Sequence, residues 1–268
     1  MHGYVINLAR SHDRRSHITG ELEKTGLDYE IVTAVDGREL DLSDRSVVDP
    51  VLAAAFSSLS AGTVGAALSH LQVYQKVIAD GLAQALVLED DVLVPPNLGN
   101  LAESVAEHLT GAEVALLSYD SPTPCQMSRA GAIRLPAGRT LALPIDMRQP
   151  RSAGGYVITR VACERLAKII MPVRIQADGW WYFYREGALD RIRCVTPMPV
   201  LKSSNLTSTI GSYSMSHGLM ARLAGPVMSH KIPVVHQALA YRRGRIYRRT
   251  SQSELVDLPF VEKPSRLD

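Results

Sequence analysis

The segment at residues 83–88, AQALVL, is apolar apart from Gln84 and ends abruptly on three carboxylates, Glu89, Asp90 and Asp91. It lacks the polar–apolar alternation of a strand with one wet face. A strand of this kind is covered on both faces, which restricts the chain to folds in which helices flank a sheet. The flanking sequence supplies such helices. Residues 63–80 carry an apolar stripe of Val64, Leu68, Leu71 and Ile78, with Ser69, Gln72, Lys76 and Asp80 on the opposite face, and Gly81 ends the pattern.

The N-terminal stretch reads the same way. Residues 2–8 form a predicted strand, residues 11–26 a helix with Ser11 as N-cap and Asp13 in its first turn, and residues 29–34 a second strand. Together they have the size of a βαβ unit. Further strands are expected at 114–118, 132–135, 141–143 and 156–159. Helices are expected at 161–170, near 51–56 and over the aromatic cluster DGWWYFY. The prediction is a mainly parallel α/β sheet with helices on both faces. Residues 1–210 are expected to form one domain. Residues 211–268 are expected to be an extension with a basic segment, YRRGRIYRR, packed on that domain or continuing it.

Composition narrows the function classes. A formal net charge of +2 over 268 residues is too small to suggest a nucleic-acid binder. The three cysteines, Cys125, Cys163 and Cys194, show no C-x-x-C spacing, which argues against a zinc site or a disulfide framework and fits a reducing, cytoplasmic setting. The start, MHGYVINLAR, lacks the pattern of a secretory signal. No apolar run approaches the roughly 20 residues that cross a bilayer. Any membrane contact is therefore expected to be peripheral, at the inner face of the membrane. Arg242, Arg243, Arg245, Arg248 and Arg249 would meet anionic lipid, or else form a solvated surface.

Carboxylates as close as Glu89, Asp90 and Asp91 disfavour one another's ionisation. A hard divalent cation removes that penalty, and oxygen ligands of this kind suit Mg²⁺ or Mn²⁺ carrying substrate phosphates. The other reading is a solvated acidic turn. If strand geometry persists to the end of the triplet, Glu89 and Asp91 face one way and Asp90 the other. In a parallel α/β sheet, ligands bind beyond the carboxyl ends of the strands, where this triplet falls.

Four segments in order, YVINLARSHDRR, GTVGAALSHL, LVLEDD and GGYVITRVACERL, resemble glycosyltransferase family 25 over roughly residues 3–210. That family includes bacterial lipopolysaccharide and lipooligosaccharide glycosyltransferases and the collagen galactosyltransferases. The resemblance implies a GT-A-like, Rossmann-type mixed sheet. It also implies transfer of a sugar, often galactose from UDP-galactose, with inversion at the anomeric carbon. In its terms the acid triplet takes the part of a DXD-like motif for metal and nucleotide sugar. Ala66 and Ala67 depart from the pattern where many members carry a cysteine.

On this reading Asp91 is the first metal ligand and Glu89 a second, while Asp90 contacts the donor. Asn7, Arg10, Arg14 and Arg15 sit where a strand hands over to a helix N-terminus, a sensible place for an anionic nucleotide. Arg14 and Arg15 read equally well as surface. Asp36 is a candidate for uridine or ribose, or a cap for the turn at Gly37. Ser69 and His70 are placed against the donor diphosphate, with a structural histidine as the alternative. Inverting transfer needs a base for the acceptor hydroxyl. Asp178 is the candidate, with Asp120 and Asp146 as rivals. The neighbouring Trp180 and Trp181 either stack on a sugar or belong to the core.

The expected function is thus metal-dependent, inverting transfer of a sugar from a UDP-sugar donor to a glycan or glycolipid hydroxyl on a bacterial surface polysaccharide. Two alternatives stand beside it. One is a nucleotide-sugar or glycan-binding module without catalysis. The other is a nucleotidyltransferase, disfavoured because residues 1–20 hold only Gly3 and Gly20 and no glycine-rich phosphate loop.

Overall fold

Strand β1 (His2–Asn7) is buried from Gly3 onward, and its partner β2 (Asp28–Thr33) runs parallel to it. The connecting helix α1 (His12–Leu22) buries Ile18 and Leu22. The computed structural model describes residues 1–49, 59–121, 123–203, 206 and 252–258. The helix predicted near 51–56 and the basic segment at 241–249 lie outside these residues. Ser11 precedes α1 but makes no side-chain capping bond. Its backbone N–H instead donates to Leu8 O at 2.8 Å, so a turn closes the strand-to-helix step.

Helix α2 (Ala61–Ala79) begins two residues before its predicted start because Ser60 caps it, accepting from Thr63 N. Strand β3 (Gln84–Glu89) follows and pairs parallel with β1. The short β4 (Val92–Leu93) comes next, then α3 (Leu98–Ala106) and β5 (Glu113–Leu116). Beyond them lie β6 (Cys125–Ser128), β7 (Ile133–Leu135), β8 (Arg139–Ala142) and β9 (Gly155–Thr159). Helices α4 (Arg160–Ile169) and α5 (Trp180–Arg185) precede β10 (Arg191–Thr196), β11 (Leu201–Lys202) and β12 (Ser253–Val256).

Among the described residues the main sheet has eight strands in the order β2-β1-β3-β9-β5-β10-β8-β7. It is mixed. Strand β9 runs antiparallel between β3 and β5, and β8 and β7 add antiparallel strands beyond β10. The mixed sheet with helices on both faces that the family resemblance implies is what the structure has, and only the mainly parallel arrangement read from strand–helix alternation is corrected. An apolar strand buried on both faces, as β9 is throughout, carries no mark of its direction.

Alternate side chains of the sheet feed two cores. Tyr4, Ile6, Val87 and Ile158 pack with α2, α4 and α5, whereas Val5, Leu86, Leu88 and Val157 pack with α1 and α3. Helices therefore cover both faces, as the uninterrupted apolar strands require. Strand β10 escapes a periodicity reading because Arg191 and Arg193 interrupt it. Both pair with the fully buried Glu113, at 3.0 and 2.8 Å. Helix α3 likewise went unpredicted after Pro95 and Pro96, although Leu98, Leu101, Ala102 and Val105 bury one face.

Two small pairings extend the body. Strand β11 joins β4 antiparallel, and β12 joins β6 parallel, with Ser253 Oγ accepting from Tyr119 OH at 2.9 Å. All three cysteines are buried and free. Among the described residues no helix is long and apolar enough to cross a membrane.

The approach of α2 to the loop after β2 is tight. A Cβ on Gly65 would lie 2.7 Å from Val35 O, and one on Gly37 would lie 1.8 Å from Ala61 O. Backbone atoms on both sides leave nothing to swing aside. Gly65→Ala is expected to destabilise the protein by about 1–3 kcal/mol and to lower Tm by roughly 2–10 °C. A thermal scan that superimposes on wild type would contradict this close packing.

Candidate functional site

Strands β1, β2 and β3 are parallel, so their carboxyl ends at Asn7, Thr33 and Glu89 share one edge of the sheet. The chain steps outward from β1 to β2 and then crosses back to β3. A crevice opens where strand order reverses in this way. Here it is a cleft of about 300 Å³, lined by Arg10 and Arg14 after β1, by residues 34–38 after β2, and by Glu89, Asp90 and Asp91 after β3. Ser69 and His70 from α2 and Lys202 from β11 complete the wall.

Strand β3 stops at Glu89, and Asp90 and Asp91 form the turn into β4. The strand geometry on which the expected alternation depends therefore ends two residues short of Asp91. Asp90 accepts from Asn7 Nδ2 at 2.7 Å and from Arg14 at 2.6 Å, while the other arm of Arg14 reaches Asp91 at 2.5 Å. Lys202 Nζ lies 3.4 Å from the same Asp91 oxygen. Glu89 turns the other way, 3.6 Å from His70 Nε2. Asp90 and Asp91 thus face one guanidinium together, and Glu89 stands apart.

Each charge answers to its surroundings. Burial pushes the Asp90 carboxyl up to about 6, with Asp91 and Glu89 adding to the effect and Arg14 and Asn7 opposing it. Burial also disfavours ionised Glu89, but His70, Lys202 and Arg14 outweigh it and hold that carboxyl at about 2. Burial opposes the Lys202 charge, and Asp91 and Glu89 overcome it, keeping the ammonium protonated.

A divalent ion fits this donor set. Asp91 Oδ1 is buried and has no hydrogen-bond partner among the described residues. Mg²⁺-type sites that carry substrate phosphates need only one or two protein carboxylates. Among the described residues no three His, Cys, Asp or Glu side chains form a metal-binding group. The fit is therefore to an ion that takes part of its ligand set from a bound substrate.

The opposite wall is built on Asp36. Its carboxylate is held by the Arg38 side chain at 2.7 Å, by Arg38 N at 3.1 Å and by Arg10 at 2.9 Å. The Arg38 hydrogen bonds are the main reason its carboxyl lies below the usual range. Asp36 is thus both a cap for the turn at Gly37 and part of the cleft lining. Ser69 is not on a solvated face of α2 as its spacing suggests. It is buried, accepts from Val35 N at 2.8 Å and donates to Gly65 O at 2.7 Å, tying the loop after β2 to the helix. His70 is buried too, and its Nδ1 shares a 2.7 Å hydrogen bond with Tyr156 OH. Arg15 is exposed and outside the cleft lining.

Asp178 is half-buried and accepts from Ser152 N at 3.2 Å. Burial pushes its carboxyl up, and the charges of Glu89 and Asp120 push it further, while the Ser152 N–H opposes them. Asp178 does not line the cleft itself. Asp120 is also raised by burial, with Lys202 and Arg151 opposing. Asp146 is bound by its neighbour Arg148 at 2.9 Å and is outside the cleft lining. The two tryptophans divide: Trp180 is 0% exposed and donates to Ser152 O at 2.8 Å, while Trp181 is 37% exposed. Trp180 is therefore core. Arg38 and Lys202 were not singled out by sequence. Arg38 was signalled only by its place after Asp36 and Gly37, and Lys202 by nothing local.

A mixed α/β sheet with a cleft of paired carboxylates and cations at its switch point has the arrangement in which open α/β folds bind their ligands. Comparison with known proteins gives the particular kind. The family model for glycosyltransferase family 25 (LPS biosynthesis protein) matches residues 1–181, and the chain belongs to that family. The human inactive glycosyltransferase 25 family member 3 is 34% identical over 123 residues, 44% of this chain and 20% of that protein. The human procollagen galactosyltransferase 2 is 37% identical over 95 residues, 33% of this chain and 15% of that protein. The chain thus aligns with about a fifth or less of the length of these relatives. Among solved structures it is similar to a glycosyltransferase involved in the glycosylation of the major capsid of PBCV-1. There the TM-score is 0.27 and the sequence identity 13%, over 69% of this chain and 67% of that one.

Proposed function

We propose that this chain is a metal-dependent, inverting glycosyltransferase that moves a sugar from a UDP-linked donor to a hydroxyl of a glycan or glycolipid. The observation that carries the reading is the Asn7–Arg14–Asp90–Asp91 network at the β1/β3 edge, in which Arg14, Asp90 and Asp91 line a cleft that also holds Asp36, Arg10 and Arg38. Galactose is the proposed sugar, supported by the name of the procollagen galactosyltransferase relative. A lipopolysaccharide-type acceptor is supported by the description of the matched family.

In this mechanism the wall at Asp36, Arg10 and Arg38 receives the nucleoside. Asp91, with Asp90 beside it, would hold Mn²⁺ or Mg²⁺. The bound ion supplies positive charge at the departing diphosphate. Arg14 and Asn7 keep the two aspartates aimed, so little reorganisation is needed as charge develops. Asp178 removes the proton from the attacking acceptor hydroxyl, and burial raises its carboxyl above the ordinary range, which makes its carboxylate form a stronger base. Trp181, the exposed member of the aromatic pair, offers a face to the acceptor sugar.

A second reading, a nucleotide-sugar-binding module without turnover, is favoured by one observation: a matched human relative is named inactive. Incubation with Mn²⁺, UDP-sugars and glycan acceptors separates the two. Metal-dependent UDP release with a glycosylated product is expected. Tight UDP binding with no product from any acceptor would favour the module.

A further inference from the structure

We propose that His17 and Glu21 are positioning residues for the turn that carries Asp90 and Asp91, acting on it through the backbone of β4. The inference rests on the reading of Asp91 as a metal ligand. Helix α1 turns one stripe toward the chain that leaves β3. Arg14, His17 and Glu21 are spaced i, i+3 and i+7, which sets them on one side of a helix. All three are half-buried, while His12, Asp13, Arg15 and Ser16 are exposed. Each takes a successive part of residues 90–94. Arg14 spans Asp90 and Asp91 at 2.6 and 2.5 Å. His17 Nε2 donates to Val92 O at 2.9 Å, and Glu21 accepts from Val94 N at 3.2 Å.

The two paths keep step. Seven residues of helix rise about 10.5 Å, and the three steps from Asp91 to Val94 span about 10 Å in extended chain. A slip of one residue would leave these partners unmatched. Strand β4 stands outside the eight-stranded sheet and pairs antiparallel with β11. Side chains of α1 supply further partners to its backbone, as a neighbouring strand would. Buried Val92 also shares one core with Ile18 and Leu22 of the same helix. One rigid helix thus holds the two carboxylates by their heads and the chain behind them by its backbone. A ligand carboxylate fixed from both ends needs less reordering when a cation arrives.

Calorimetric titration of the full chain with UDP, with and without Mn²⁺, and with uridine tests the assignment. The double variant His17→Ala/Glu21→Ala is expected to cut the metal-dependent gain in UDP affinity about 10-fold. Uridine affinity should not change, because Asp36 follows β2, which β1 separates from β3. The pair His17→Gln/Glu21→Gln keeps a donor for Val92 O and an acceptor for Val94 N, and should retain most of the gain. A wild-type gain in the alanine pair, an equal loss of UDP and uridine affinity, or a glutamine pair no better than the alanine pair overturns the inference and leaves the metal reading standing. Wild type whose UDP affinity ignores Mn²⁺ would overturn the metal reading and this inference together.

Discussion

Asp91→Asn is expected to abolish the metal-dependent part of UDP binding. Asp91 contributes a buried carboxylate oxygen that has no hydrogen-bond partner among the described residues, and an amide keeps the shape while removing the charge that a hard cation requires. Its other oxygen is already shared by Arg14 and Lys202. The variant therefore changes the charge of the cluster as well as its ligand capacity. Titrations with Mn²⁺ and with a chelator distinguish the consequences. Wild type should bind UDP about 100-fold or more tighter with metal than without, an effect on the scale of a Lewis-acid contribution of several kcal/mol. Asp91→Asn should give one weak affinity in both buffers. A variant that still responds to Mn²⁺ as wild type does would remove Asp91 from the site.

Asp178→Asn should leave UDP affinity near wild type and reduce kcat by about 10²- to 10⁴-fold, the usual worth of a positioned general base. The pH profile gives the sign check. Burial, with Glu89 and Asp120, raises the Asp178 carboxyl above its ordinary value, so the protonated form persists to higher pH in the folded protein. Only the ionised form accepts a proton. The rate should therefore rise with pH through that elevated carboxyl, and the acid limb of kcat should lie above the range of an exposed aspartate, about 4. Near-wild-type turnover in Asp178→Asn would shift the role to Asp120, whose carboxyl burial also raises.

Much of the site was legible because local pattern and local chemistry coincide there. The apolar run of β3, its abrupt end on Glu89, and the strand–helix step carrying Asn7, Arg10 and Arg14 are all contiguous signals. Ser69 misled because helical spacing sets it beside polar neighbours. In three dimensions the loop after β2 presses onto that face through Gly37 and Gly65 and buries its hydroxyl. Trp180 and Trp181 are indistinguishable as residue types, and only helix orientation sends one into the core and leaves the other exposed. Strand β10 was hidden by arginines whose partner, the buried Glu113, belongs to a neighbouring strand.

The sequence alone determined the class of the fold, helices on both faces of an apolar sheet, and the position of an acid triplet at a strand's end. Both depend on periodicity and neighbours within a few residues, which the chain carries wherever it goes. Tertiary structure decided the direction of β9, the turning of Glu89 away from Asp90 and Asp91, and the arrival of Lys202 at Asp91. These depend on which distant segments pack together. Hydrophobic burial selects that packing across the whole chain, and no short window of residues specifies it.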